Sequence, residues 1–211
     1  RGIEVAAPRA RPAGDDAHRL SEIRRHVASA PGGYLATQFS QYDLWGNARR
    51  VADADGNVTC RTFHTNRGWL DAERRVIDGS SDCTVVGAGD ITTSYVRDSA
   101  GRVVTLVRPR ANCFHYTYGA QGRLSEIKKT DDCNAGSNGD SIVFTYDANG
   151  DLLEQKWLDP AGLVVRRQAM TYGADGRVFQ RENPVDATKV KEYTRDGLGS
   201  LGRREITAPK N

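Results

Sequence analysis

The sequence predicts an all-β fold made of consecutive antiparallel β-hairpins. Tyrosine is followed four residues later by glycine at four places: Tyr42 with Gly46, Tyr118 with Gly122, Tyr146 with Gly150, and Tyr172 with Gly176. Five looser copies keep the glycine three residues after Asp or Thr: Asp53 with Gly56, Thr65 with Gly68, Asp98 with Gly101, Asp159 with Gly162, and Asp196 with Gly199. Eight of these nine glycines carry Val or Leu two positions on, at Val58, Leu70, Val103, Leu124, Leu152, Val164, Val178 and Leu201. Such a recurring order is typical of repeat proteins, which build a surface and not one catalytic pocket.

The segments around each glycine favour tight hairpin turns. Glycine reaches positive φ without a Cβ clash, and Asp or Asn side chains bond their own backbone. Residues 141–146 and 151–157 are rich in β-branched and aromatic types, and residues 147–150 between them supply the turn. This order predicts strand, turn and strand. The tyrosines precede their turns by the same interval, so we expect them to stack between neighbouring hairpins.

Three copies carry the pattern most fully: Tyr42-Asp-Leu-Trp-Gly-Asn47, Tyr146-Asp-Ala-Asn-Gly-Asp-Leu152 and Tyr172-Gly-Ala-Asp-Gly-Arg-Val178. They resemble the motif of the YD-repeat, or Rhs-repeat, family, over about residues 34–205. The resemblance implies a strip of hairpins that spirals into a hollow shell in full-length relatives. Such shells enclose toxin domains in bacterial polymorphic toxins and insecticidal toxin complexes, and a similar barrel supports cell adhesion in teneurins.

This chain departs from the family pattern in two ways. It is far shorter than a complete shell, and other residues stand where the tyrosine is expected, namely Thr65, Arg97, Leu158 and Arg195. We therefore expect an extended YD-repeat strip or a partial shell.

The composition agrees with thin, turn-rich sheets. Hydrophobic residues make up 38% of the chain and charged residues 27%, with 22 glycines among 211 residues. The net charge of +3 is spread along the strands, and arginine pairs such as Arg74-Arg75 and Arg166-Arg167 lie near acidic residues. A basic stripe with aromatic platforms is missing from the sequence, so no nucleic-acid partner is expected. No apolar run of about 20 residues occurs, so no membrane span is expected.

Four cysteines form a second signal. Cys60 and Cys83 flank one hairpin, and Cys113 and Cys133 flank another. The 50-residue offset between Cys83 and Cys133 recurs between Asp90 and Asp140, which indicates a duplicated unit of two hairpins. Of the three pairings that four cysteines allow, Cys60–Cys83 with Cys113–Cys133 keeps each copy self-contained and is favoured.

Disulfides persist in oxidising compartments, so this pairing predicts an exported protein. Free thiols in a cytosolic protein are one alternative. Zinc is another, since His64 and His115 lie near Cys60 and Cys113, but the paired Cys-x2-Cys spacing usual in zinc sites does not occur. No metal and no cofactor are expected.

Residues 1–33 differ from residues 34–211, and we expect an N-terminal basic arm before the repeat domain. The arm contains Pro8, Pro12 and Pro31 and no aromatic residue. Leu20, Ile23 and Val27 fall on one face of a helix over residues 15–30, which Asp15 or Asp16 would cap and Gly32-Gly33 would end. An extended strand is the alternative, because the family runs its repeats straight through.

The sequence offers few candidates for catalysis or binding. No nucleophile elbow, phosphate-binding loop or His-Glu-x-x-His motif occurs, so no catalytic residue is assigned. Asp159-Pro-Ala-Gly-Leu163 resembles the site where Rhs proteins cut themselves, but the surrounding family core is missing and a β-turn is expected. Trp45 and Trp69 lie beside turn glycines and are the candidates for a surface that binds glycans.

Together these observations predict a structural module, not an enzyme, that is secreted or held at a bacterial cell surface. Its expected partners are its own further repeats, other copies of itself through open sheet edges, a toxin cargo, or surface glycans. An adhesin or glycan-binding surface is the alternative function. Because the chain begins with Arg1 and not with Met, it is expected to be a processed product or a fragment.

Overall fold

The computed structural model describes residues 3–6, 19–27, 30–77, 83–174, 176–182, 189–195 and 201–207. Side chains are described over residues 19–27, 30, 32–77, 83–110, 112–174 and 176–178. The chain divides into two compact units, Arg1–Arg110 (unit 1) and Ala111–Asn211 (unit 2). The described elements are antiparallel strands with two short 3-10 turns, Pro31–Gly33 and Pro109–Ala111, so the all-β prediction is confirmed.

Unit 1 is a meander in which each strand pairs with the next along the chain. Its strands are β1 (Ile3–Ala6), β2 (Glu22–His26), β3 (Tyr34–Tyr42), β4 (Ala48–Ala52), β5 (Val58–Phe63), β6 (Leu70–Arg75), β7 (Ile91–Arg97) and β8 (Val103–Val107).

Unit 2 repeats the same arrangement, again with antiparallel pairing between consecutive strands. Its strands are β9 (Cys113–Tyr118), β10 (Leu124–Thr130), β11 (Ser141–Tyr146), β12 (Leu152–Leu158), β13 (Val164–Tyr172), β14 (Val178–Glu182), β15 (Lys189–Arg195) and β16 (Leu201–Thr207). Among the described residues, no helix is long and apolar enough to cross a membrane.

Most of the described hairpin turns share one backbone hydrogen-bonding pattern, and the turn at Asp98 shows it together with the bonds of the aspartate side chain. The Asp98 amide donates to Arg102 O at 3.0 Å, its carbonyl accepts from the Gly101 amide at 3.0 Å, and its Oδ1 accepts from the Ala100 and Arg102 amides. Gly101 has a φ of +87°, and the pairing of the two strands shifts register between Val96 and Arg97, just before the turn. This is a turn followed by a left-handed glycine and a bulge, a standard three-residue hairpin connection.

The helix expected over residues 15–30 is wrong where the structure describes it. Glu22–His26 form strand β2, with Ile23 opposite Val5 on one side and Thr37 on the other. Ladders to two neighbouring strands outweigh a local apolar spacing that suits a helix. Glu22 and Arg24 lie two positions apart and form an ion pair at 2.6 Å, as residues on one face of a strand can and residues on a helix cannot.

The rest of the expected N-terminal arm gives a mixed outcome. The strand alternative is confirmed at residues 22–26, and Gly32 and Gly33 belong to the turn that joins β2 to β3. Asp15 and Asp16, the expected helix caps, lie outside the described residues, as does the turn at Asp196 and Gly199. The domain boundary between residues 33 and 34 stays a prediction.

The hydrophobic core of unit 1 is small. Ala52, Val58, Cys60 and Val76 form its buried cluster, and half-buried Cys83 packs against them. In unit 2 the fully buried side chains are Cys113 and Thr130. A single sheet layer buries little apolar area, so much of each unit's stability rests on turns and cross-links.

Candidate functional site

The candidate site is the end of each unit at which the glycine turns of the tyrosine pattern lie, here named the glycine-turn end. In unit 1 it contains the turns over residues 43–47, 64–69 and 98–102, and in unit 2 those over residues 119–123, 147–151 and 173–177. Because consecutive connections alternate between the two ends of a meander, the turns at Asp53 and Asp159 lie at the opposite end of their units. The glycine turns that the sequence presents as one repeat therefore fall into two sets, one at each end of a unit.

Tyrosines at the glycine-turn end reach back to the preceding repeat. The Tyr146 hydroxyl donates to Leu124 O at 2.9 Å, and the Tyr172 hydroxyl donates to Leu152 O at 2.8 Å. Each acceptor lies two residues after the glycine of the preceding turn. Tyr42 donates in the same way to Leu20 O. Tyr118, the fourth tyrosine of the pattern, ends strand β9 and is half-buried.

Arg97 makes this contact where the tyrosine is missing. Its Nε and Nη2 donate to Leu70 O at 3.3 and 3.2 Å, and Leu70 lies two residues after Gly68 of the preceding turn. Its Nη1 donates to Gly101 O at 3.0 Å. Arginine thus replaces tyrosine as the link between repeats. The sequence shows that Arg97 stands at the tyrosine position of the pattern. Because the residue type differs, the sequence does not show that Arg97 makes the tyrosine's contact.

At three of these turns, the residue after the glycine reaches forward to the next turn. Asn47 Nδ2 donates to Gly68 O at 3.3 Å. The Trp69 ring covers Gly101 so closely that a Cβ there would lie 2.6 Å from Trp69 Cζ2. Arg123 covers Gly150 in the same way, with Nη2 at 2.3 Å from such a Cβ, and its Nη1 donates to Asp147 O at 3.2 Å. Three of the turns thus contact the next turn of the same unit.

The two candidate surface tryptophans differ in accessibility. Trp69 is half-buried between Gly101 and the Arg67 guanidinium, which lies 4.7 Å from its ring centroid. Trp45 packs over Gly68 and donates its indole N–H to Thr65 O at 2.9 Å, yet it stays 58% exposed. Of the two rings, Trp45 offers the open surface.

The turn at Gly68 departs from the predicted spacing. The amides of His64 and Gly68 bond to Trp69 O and His64 O, so this turn is one residue longer than the others. His64 Nδ1 accepts from the Asn66 amide at 3.3 Å and takes the place of the aspartate carboxylate. The turn therefore begins at His64 and not at Thr65.

Turn carboxylates are engaged in local hydrogen bonds. The pKa of Asp53 lies below its usual range. The hydrogen bond from the Asn57 side chain has the largest effect, burial acts in the opposite direction, and the Asn57 and Asp55 amides lower the pKa further. Asp159 Oδ1 accepts from the Ala161 and Leu163 amides, so the Asp-Pro-Ala-Gly segment is the predicted turn. These carboxylates are fixed acceptors of the backbone, which is a structural role.

Glu154 is paired with two cations. Lys156 Nζ lies 2.8 Å from Glu154 Oε2, and Arg167 bonds to Oε1. The pKa of Glu154 is lowered. The hydrogen bond from the Lys156 ammonium has the largest effect, burial acts in the opposite direction, and Arg167 lowers the pKa further. A carboxylate held charged in this way is unsuited to donate a proton as a general acid at neutral pH.

Both disulfides are present in the favoured pairing. Cys60 is bonded to Cys83 and Cys113 to Cys133, with Cα–Cα distances of 5.4 and 4.9 Å. Each bridge joins a strand to the loop that follows its hairpin, at the end opposite the glycine-turn end. With their sulfurs cross-linked, these cysteines do not supply thiolate ligands. The described residues contain no group of three or more His, Cys, Asp or Glu suited to hold a metal ion.

The buried side chains next to the two bridged loops differ. In unit 1, buried Arg74 pairs with Asp90 and donates to the carbonyls of Cys83 and Val85. In unit 2, Thr130 stands at the register position of Arg74 and its Oγ1 bonds to His115 Nε2 at 2.9 Å. The two units thus have equivalent disulfides, but the side-chain contacts next to those disulfides are different. Arg74 was not among the predicted site residues.

The fold and its turn contacts define a hairpin-repeat protein cross-linked by disulfides. Solved structures of similar fold include the TcdB2–TccC3 complex (16% identity, TM-score 0.51), the same complex without its hypervariable C-terminal region (15%, 0.53), and the Photorhabdus luminescens Tc holotoxin pore (16%, 0.51). Each alignment covers 87% of this chain and 11% of the other, so this chain spans about a ninth of the length of those proteins.

At such low identity the likeness is one of fold. It supports the Rhs-type shell fold that the sequence motifs imply. No protein-family model matches the sequence, and no curated protein matches it either.

Proposed function

We propose that the chain is a stretch of structural wall in an exported YD/Rhs-repeat protein and has no enzymatic activity. The observation that carries this proposal is the contact from each repeat to the preceding one, made by Tyr146 to Leu124, Tyr172 to Leu152, and Arg97 to Leu70. Side chains at the most regular positions of the sequence thus hold repeats together. Nearest-neighbour contacts of this kind are the basis of stability in repeat proteins.

The disulfides support an extracellular location. Cross-links between Cys60 and Cys83 and between Cys113 and Cys133 persist where the surroundings are oxidising. A Tc toxin of a bacterium is among the proteins of similar fold. The proposed setting is therefore the secreted or surface-bound part of a bacterial toxin-like protein.

The proposed partners are further repeats, a toxin cargo, or other copies of the chain. Proteins of similar fold are much longer, and a strip of this length would form one part of such a wall. Among the described strands, β16 bonds to β15 alone. An open edge presents unpaired backbone groups to which another strand can add, so we propose end-to-end assembly through strand addition.

Light scattering after size exclusion, followed by electron microscopy at rising protein concentration, tests the assembly. We expect concentration-dependent oligomers that extend in one direction. A compact monomer at every concentration contradicts assembly by this chain alone. The absence of enzymatic activity is tested separately with hydrolase substrates, and turnover that survives repurification would overturn it.

A second candidate function is a glycan-binding or adhesive surface at Trp45. It is favoured by the open face of this ring, which stands beside the 96%-exposed side chain of Leu44. A glycan array is the test, and binding should disappear in Trp45→Ala. Trp69→Ala serves for comparison, because Trp69 is covered by Arg67 and Gly101 and its loss should act through stability.

A further inference from the structure

An open cleft of about 470 Å³ lies in unit 2 between the turn over residues 119–123 and the end of strand β11. Phe144 and Tyr146 supply aromatic surface, Gln121 and Arg123 supply hydrogen-bond donors, and Gly119 and Ala120 of the turn also line the cleft. The volume lies in the range of small-molecule sites, which combine apolar surface with a few placed polar groups.

The cleft exists beside a turn that lacks its carboxylate. In the turn over residues 98–102, Arg102 follows the glycine and its Nε donates to Asp98 Oδ2 at 2.7 Å. The turn over residues 119–123 has the same backbone bonds, with the Gly119 amide to Arg123 O at 2.8 Å and the Gly122 amide to Gly119 O at 2.9 Å. Arg123 matches Arg102, and Gly119 stands where the aspartate would be.

Arg123 therefore has a positive charge without an acidic partner among the described residues. Among the described residues, its guanidinium donates one hydrogen bond, from Nη1 to Asp147 O, and it also contacts Gly150 and the Tyr146 ring, whose centroid lies 5.8 Å from Cζ. A guanidinium carries five N–H donors, so several stay available to a ligand. The nearby Asp147 Oδ1 is engaged by the Gly150 and Asp151 amides.

We propose that this cleft binds an acidic saccharide unit, with the sugar carboxylate on Arg123 and the sugar ring against Phe144 and Tyr146. Arginine matches a carboxylate through parallel N–H donors, and an aromatic side chain offers the apolar surface that a sugar ring covers. Gln121 and Ser125 also line the cleft. The Gln121 amide is a polar group for sugar hydroxyls, and Ser125 Oγ, which donates to Thr117 O at 3.0 Å, can still accept a hydrogen bond from one. The site goes beyond the wall function and does not depend on it.

The same sequence order recurs once, as Tyr118-Gly-Ala-Gln-Gly-Arg123 and Tyr172-Gly-Ala-Asp-Gly-Arg177. In the second copy the side chains from residue 179 onward lie outside the described residues. The proposal is confined to the cleft at Arg123.

Titration of the full chain with sodium galacturonate, followed by amide chemical shifts, tests the site. We expect saturable shifts at residues 119–125 and 144–148 at millimolar ligand, and at least tenfold weaker binding of galactose. Equal binding of galactose, equal or tighter binding of a short glutamate peptide, or no saturable shift would each overturn the proposal.

Three variants sharpen this test. Arg123→Gln should weaken galacturonate binding at least tenfold, whereas Arg102→Gln, the matched arginine paired with Asp98, should leave it unchanged. Gly119→Asp restores the missing carboxylate. A Cβ there meets only Arg123 O, at an ordinary 3.8 Å, so the fold should tolerate it. We expect Gly119→Asp to keep the melting temperature and lose binding, and wild-type affinity in that variant would overturn the proposal.

Discussion

The Tyr146 hydroxyl donates a hydrogen bond of 2.9 Å to Leu124 O, which ties one hairpin turn to the strand that leaves the preceding turn. Tyr172 repeats the contact with Leu152 one hairpin later. The tyrosine of the sequence pattern therefore links hairpins through its hydroxyl, and stacking of its ring between hairpins stays a prediction. This gives the repeated four-residue interval between tyrosine and glycine a physical meaning, because it places the hydroxyl within reach of the preceding repeat.

Tyr146→Phe should lower the free energy of unfolding by about 1 kcal/mol, because it removes one hydrogen bond and leaves the ring in place. Urea denaturation followed by circular dichroism measures this. Tyr95→Phe is the matched control, since the hydroxyl of Tyr95 makes no described hydrogen bond, and its effect should stay within about 0.5 kcal/mol. Equal effects of the two substitutions would contradict the role of the Tyr146 hydroxyl.

Arg97→Ala should cost about 1–2 kcal/mol, because it removes the donors to Leu70 O and Gly101 O. Arg97→Tyr restores the residue of the pattern and should recover part of this loss by the tyrosine route to Leu70 O. Urea denaturation of the three proteins under one condition provides the comparison. If Arg97→Tyr were as unstable as Arg97→Ala, arginine and tyrosine would not be equivalent links.

Gly101→Ala should destabilise more than Gly162→Ala. Both glycines have positive φ, +87° and +81°, so each substitution pays a backbone cost of about 1–2 kcal/mol. Nothing lies within 4 Å of a Cβ at Gly162, whereas at Gly101 it would lie 2.6 Å from Trp69. We expect Gly101→Ala to cost at least about 1 kcal/mol more, by displacement of that ring. Trp69→Ala in the same chain should remove this difference.

The strand starts and turns followed from sequence, as did the expectation that the tyrosines join neighbouring hairpins, but the role of Arg97 did not. Val58, Leu124 and Val164, like the other apolar residues two positions after a glycine, are each the first residue of a strand. This regularity is local, since turn chemistry fixes where a strand can begin. The link from Arg97 to Leu70 joins residues 27 apart and depends on which turns share an end of the sheet.

The segment at Glu22–His26 shows the limit of local patterns most clearly. Its apolar spacing suits a helix, and only pairing with β1 and β3 makes it a strand. The cleft at Arg123 is recognised only from the sequence and the structure together. The absence of an aspartate at Gly119 is visible in the sequence, but its meaning depends on the Arg102–Asp98 pair in the equivalent turn.

Removal of either disulfide should lower stability by about 3 kcal/mol, since each closes a loop of about 20 residues in the unfolded chain. Cys60→Ser with Cys83→Ser, and Cys113→Ser with Cys133→Ser, are the matched pairs, compared by urea denaturation without reductant. An unchanged unfolding midpoint in either pair would show that its bridge does not constrain the unfolded chain.

The loop of unit 1 should stay ordered after its bridge is removed, because Arg74 still holds the carbonyls of Cys83 and Val85 and the Asp90 carboxylate. Hydrogen exchange of the Gly87 amide, which donates to Asp90 Oδ2 at 2.8 Å, reports this order. We expect protection to survive in the Cys60→Ser, Cys83→Ser protein and to vanish when Arg74→Met is added. Loss of protection with the serine pair alone would contradict the role of Arg74.

Asp90 should make the stability of unit 1 dependent on pH. The pKa of Asp90 lies below its ordinary value. The hydrogen bond from the Gly87 amide has the largest effect, burial acts in the opposite direction, and the Ile77 amide and Arg74 lower the pKa further. A carboxyl whose pKa is lower in the folded state stabilises the fold above the unfolded pKa of about 3.9, and this contribution is lost as the pH falls through the folded value. Asp90→Asn has no such charge to lose. The melting temperature of Asp90→Asn should therefore lie below that of the wild-type protein at pH 6. Between pH 6 and pH 3 this gap should first stay nearly constant and then narrow below about pH 4, as the pH falls from the unfolded pKa toward the folded one. Thermal unfolding across this range at constant ionic strength measures the gap, and a gap that stays constant would mean that the charge of Asp90 does not contribute to holding the loop.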